Sequence, residues 1–228
     1  MRAAACIPRR VSYTSSMRSN SLKWLRLAAA LTTGVHVLGL IAAVVAIRPG
    51  TAVFPELQRI AHIGASWAWR IGWVVWMFGA MSFVAFNAAV EKAWNLSSVW
   101  ARLGVCIGVA AASLDCVFDA LQIIVLPELA ASGRGTQVFL ALARFAAVGG
   151  IVVANGLYSI SVALLTCALR GRIPRAAFVL GWATLATGLA LSVAGFSSDA
   201  HWAEIFAGPV FAAYLLWVLA LAWKGPRD

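Results

Sequence analysis

Residues 99–127, "VWARLGVCIGVAAASLDCVFDALQIIVLP", decide the fold. The stretch is almost wholly apolar or small, and it exceeds the roughly 20 residues that carry a helix across a bilayer. Two acids, Asp115 and Asp119, nevertheless sit inside it. The apolar residues run continuously, without the alternation of a barrel strand. The stretch therefore reads as a membrane-spanning helix with both acids on one face, since residues four apart are neighbours on a helix surface.

The rest of the chain repeats the pattern. Of 228 residues, 62% are hydrophobic and 11% charged, and the mean hydropathy is +0.87. A water-soluble domain is about 45–50% apolar and about 25% charged, so the chain reads as all-α and polytopic, with the lipid bilayer as its partner. Six runs are long enough to span, at 24–47, 62–90, 98–126, 137–169, 176–196 and 202–223. Segments rich in Gly, Pro, Ser and charge separate them, as loops require. The expected organisation is a flexible basic tail (1–21), a six-helix domain (22–224) and a short tail (225–228). The first run is longer than a signal-peptide core and no small-x-small cleavage site follows it, so it is expected to remain as a span. Met17 opens a tidier start than Met1, and residues 1–16 are expected to be unstructured.

The formal charge of +10 does not point to nucleic acid, because the basic residues segregate by loop. Arg2, Arg9, Arg10, Arg18, Lys23, Arg26, Lys92, Arg102, Arg170, Arg172, Arg175, Lys224 and Arg227 fall on one side, against Arg48, Arg59 and Arg134 on the other. Lys and Arg accumulate on the cytoplasmic side, so the expected topology is N-in/C-in in a bacterial inner membrane.

The acids can then be placed in depth. With the third helix ending at Pro127, Asp119 lies about 12 Å and Asp115 about 18 Å from its outer end. Gln122 continues their face outward, while Gly104, Gly108 and Ala112 continue it inward. Small residues let helices approach closely, so this stripe is expected to face other helices. Arg70 in the second run and Arg144 in the fourth come out at a depth similar to Asp119. A charge alone at the bilayer centre costs at least about 2.5–3.5 kcal/mol, so Arg70, Arg144, Asp115 and Asp119 are expected to form a buried, neutral ionic cluster. Asn155 falls on the face of Arg144 by helical spacing, and His36 and Ser66 lie close enough in depth to join.

Other features carry less. Trp69, Trp73 and Trp76 form one stripe, which packs against helices or offers an aromatic wall to a flat apolar ligand. Trp67 and Trp69 suit an interfacial belt. His62 and His201 fall near the outer surface, but no haem is expected from them. "GWVVWMFG" (72–79) and "GWATLATG" (181–188) share the pattern G-W-x5-G, which small-residue packing explains. Four cysteines show no CxxC or His/Cys spacing, so no disulfide, metal or other cofactor is expected. Walker, HExxH, GxSxG and dinucleotide fingerprints are absent.

The functional expectation is a membrane protein that binds or moves a small amphipathic, lipid-like ligand at Arg70, Asp115, Asp119, Gln122, Arg144 and Asn155. The alternatives are an enzyme of lipid or isoprenoid chemistry with Asp115 or Asp119 as general acid, and a structural subunit in which the cluster is only a staple.

Overall fold

The structure is a computed structural model that describes residues 11–225 apart from Arg134, Ser198 and Asp199. Among the described residues every regular element is helical. Six helices are long and apolar enough to cross a membrane, at Asn20–Gly50, Trp67–Ala93, Val99–Ser132, Thr136–Ala168, Arg175–Phe196 and His201–Lys224. The first begins as α1 (Val11–Ala42), widens at a π-turn (Ala43–Ile47) and then tightens into a 3-10 turn (Arg48–Gly50). Helix α1 thus starts inside the stretch expected to be an unstructured tail. A short helix α2 (Glu56–Ala65) precedes the second span, α3 (Trp67–Ala93). The third span is α4 (Val99–Ala120), a π-turn (Leu121–Val125) and α5 (Leu126–Ser132). The fourth is α6 (Thr136–Ala147), a π-turn (Val148–Ala154) and α7 (Asn155–Ala168). Helices α8 (Arg175–Phe196) and α9 (Ala200–Lys224) complete the set.

The spans form a closed ring in chain order. Helix α1 packs on α3, α3 on α4, α4 on α7, α7 on α8, α8 on α9, and α9 returns to α1. An even number of crossings leaves both termini at one end. We call that the termini end and the opposite one the distal end. Across the ring, aromatic side chains fill the middle: Phe83 lies 4.6 Å from Tyr158 and 5.4 Å from Tyr214, ring centroid to centroid, and Phe86 lies 5.8 Å from Trp217. One apolar cluster, with Leu25, Phe86, Trp94, Leu165 and Trp217, fills the termini half. A smaller one, with Ile47, Ile63, Trp69, Leu126 and Phe139, fills the distal end.

The two G-W-x5-G stretches are both packing surfaces. Gly72 and Gly79 are buried on α3, where Cβ atoms would come 2.9 Å from Ile47 and 3.8 Å from His36. Gly181 and Gly188 are buried on α8, against Thr166 and Ser159 of α7. In a bilayer, such close backbone approach replaces the hydrophobic drive that helices lack among lipid tails.

Two span boundaries differ from the sequence reading. The third span does not stop at Pro127: proline is tolerated in the first turn of a helix, and α5 carries it there after the π-turn. The second span starts at Trp67, because Ser66 breaks from α2 and caps α3, its hydroxyl accepting from the Trp69 N–H at 3.3 Å. Thus His62 lies on α2, outside the span.

Candidate functional site

Those boundaries reposition every charge. Asp119 now lies about 20 Å from the helix end at Ser132, and Asp115 falls near mid-span. Arg70, by contrast, is only about 5 Å from the start of α3. Depths that agreed in the sequence reading no longer agree.

The expected ionic cluster is not formed. Among the described residues neither Arg70 nor Arg144 makes a hydrogen bond or ion pair with Asp115 or Asp119. The Arg70 guanidinium lies 5.5 Å over the ring of the exposed Trp67, at the distal rim. Arg144 is exposed on α6. Arg48 instead pairs with Glu204, 3.0 Å apart at the rim. Asn155 does not share the face of Arg144 either. Between them runs the π-turn Val148–Ala154, whose five-back bonds accommodate an extra residue and so spoil 3.6-residue phasing. Asn155 instead turns to α8, donating Nδ2 to the Gly188 carbonyl at 2.9 Å. His36 sits between α1 and α9, its ring 5.3 Å from that of Tyr214, with Nδ1 bonded to the Thr32 carbonyl at 2.8 Å. Ser66 is spent as the cap of α3. None of the three joins the acids.

What remains is a polar stripe on the third span. Asp115, Asp119 and Gln122 are 6%, 1% and 5% exposed, so the expectation that this face meets other helices holds. Asp115 accepts from the Tyr158 hydroxyl at 3.1 Å. A Cβ on Gly150 would come 3.5 Å from Asp115 Oδ1, and one on Gly149 would strike the ring of Phe118. The Gly149–Gly150 pair therefore lets α4 settle against the fourth span at the level of the acids. Asp119 differs from Asp115. Its Oδ2 is buried without a partner, as is Oε1 of Gln122, one turn further along the same face. Trp73 Nε1 is likewise buried and unpartnered. Deeper toward the termini end, Asn87 donates to Ser161 (3.1 Å) and Ser161 to the Gly104 carbonyl (2.7 Å), with Gly108 making room for both.

Two of the three π-turns among the described residues share one construction that sequence reasoning missed. At each of these two, a side chain from a neighbouring helix serves a carbonyl that the irregular turn leaves open. In Leu121–Val125 the Leu126 N–H bonds five back to Leu121, passing over Gln122. The next residue, Pro127, has no N–H. The Gln122 carbonyl is thus denied both backbone donors, and Trp69 Nε1 supplies one at 2.7 Å. Beside Pro49, the Ala46 carbonyl accepts from His62 Nε2 at 2.8 Å. At Val148–Ala154 the Val152 carbonyl keeps the Asn155 N–H as a donor, and the Ser192 hydroxyl lies 3.1 Å from that carbonyl and 3.0 Å from that of Gly188. In hydrocarbon an unserved backbone group costs several kcal/mol, so these donors hold the distal half together. Trp69, 2% exposed, is accordingly a buried latch and not an interfacial belt residue. His62 is a latch too. The signal available in the sequence was the pairing of Pro49 and Pro127 with otherwise unbroken apolar runs.

Among the described residues no three His, Cys, Asp or Glu side chains gather as metal ligands. Cys106, Cys116 and Cys167 are free thiols. Cys6, Arg134 and Asp199 lie outside the described residues. Comparison with protein-family models, with curated proteins and with solved structures gives no match.

Proposed function

We propose that this multi-pass membrane protein binds a small amphipathic, lipid-like ligand whose polar head enters the bundle at Asp119 and Gln122. One observation carries the reading: two acceptors on one face of a membrane-embedded helix are shut away from water and left without donors. A buried polar group without a partner costs about 1–3 kcal/mol, and intramembrane polar groups that outlast that cost mark ligand or ion pathways. The half-buried Trp73 flanks the site through its contact with Trp69, 5.6 Å between ring centroids. Asp115, satisfied by Tyr158, belongs to the scaffold. Arg70 and Arg144 have no part in this site.

The test is native mass spectrometry of protein released from its own membranes. Wild type is expected to carry a bound small molecule, and Asp119→Asn to accumulate normally while losing most of it. An equal bound fraction in the variant sinks the reading.

The charge segregation among loops supports a cytoplasmic placement of the termini and residence in an inner membrane. A membrane-impermeant maleimide applied to intact cells is then expected to label Gly135→Cys and to spare Gly171→Cys. The reverse labelling pattern overturns the orientation.

A further inference from the structure

Resting on that reading, we infer that the Asp119–Gln122 site selects an amphipath with a cationic, hydrogen-bond-donating head, such as a primary ammonium, over one with an anionic or plain hydroxyl head. The argument is one of complementarity. The sequence suggested a neutral cluster in which two arginines could grip an anion, but neither arginine reaches the acids. Arg70 lies over Trp67 at the rim and Arg144 is exposed. The open positions on the stripe are Asp119 Oδ2 and Gln122 Oε1, both acceptors on residues at least nine-tenths buried.

An anionic head would add a third acceptor to two that already lack donors. A hydroxyl has one proton to offer. An ammonium carries three donors and a positive charge, so it can serve Asp119 and Gln122 together, and charge-assisted bonds are the stronger kind. Aromatic faces complete the match. Trp69 and Trp73 stack edge to face beside the third span, and the face of an indole ring attracts a cation. Beside Asp115, Tyr158 is spent on its carboxylate, and Gly150 of the fourth span offers no side chain.

The experiment uses the full chain in neutral phosphatidylcholine nanodiscs with three probes of equal tail, decylammonium, decanoate and decanol, each also in a photoreactive form. Decylammonium is expected to stabilise wild type saturably and to bind at least about tenfold more tightly than decanoate, as one charge-assisted bond implies. Asp119→Asn is expected to lose that preference. Should that variant not accumulate, Gln122→Leu is expected to weaken decylammonium binding several-fold while leaving decanol unchanged. Decanoate or decanol binding as tightly as decylammonium, with cross-links at residues 115–122, overturns the inference and leaves the ligand site standing. If no probe of any head group cross-links there, both fall.

Discussion

Gly188→Ala is expected to destabilise the bundle by about 2–3 kcal/mol, within the range for overpacking a tight interface. A Cβ at this position would stand 1.8 Å from Ser159 Oγ and 2.7 Å from Ser159 Cβ. Rotating the serine relieves the first contact and not the second, so α7 and α8 must part. Parting them strains the Asn155 Nδ2 bond to the Gly188 carbonyl (2.9 Å) and the bonds of Ser192 to Gly188 and Val152. The measurement is thermal unfolding of detergent-solubilised protein, read by tryptophan fluorescence. The companion substitution Ser159→Gly removes the obstructing atoms. The double variant should recover to about 1 kcal/mol below wild type, the ordinary cost of glycine inside a helix. If the two substitutions simply add, the close approach of α7 and α8 is not what holds this face together.

Trp69→Phe is the second large effect. The ring is largely kept and one N–H is lost, yet the Gln122 carbonyl then faces apolar surroundings with no donor. The expected cost is about 2–3 kcal/mol, the upper part of the range for a stranded buried polar group, because no water reaches a carbonyl at this depth. The cause can be isolated through Pro127. Its missing N–H is one reason that Gln122 depends on Trp69. Pro127→Ala restores a backbone donor five residues on. In that background Trp69→Phe should cost only about 1 kcal/mol, a coupling well outside the additivity expected of independent sites. Equal costs of Trp69→Phe in both backgrounds would show that the indole N–H matters for some reason other than the orphaned carbonyl.

The candidate site was half legible in the sequence. The stripe from Gly104 through Asp115 and Asp119 follows from residue type and regular spacing on one uninterrupted helix, α4, and it is buried as that spacing requires, with Gln122 buried beside it in the π-turn just beyond. The partners of the acids were not legible. Placing Arg70 and Arg144 beside them rested on depths counted from helix ends and on faces counted at 3.6 residues per turn. Both counts fail wherever a helix departs from ideal form. The helix ran on past Pro127, a cap at Ser66 moved the start of α3, and the π-turn at Val148–Ala154 rotated everything beyond it.

The amino-acid sequence alone determined that the chain forms six helices long and apolar enough to cross a membrane, because apolar length and the spacing of breakers are local properties. Tertiary structure alone decided which polar groups meet. At two of the π-turns a neighbouring helix brings a donor to the open carbonyl, as His62 and Trp69 do, and no local pattern encodes that contact. The same turns set the phase of everything after them, and so left Asp119 and Gln122 facing inward without the arginines.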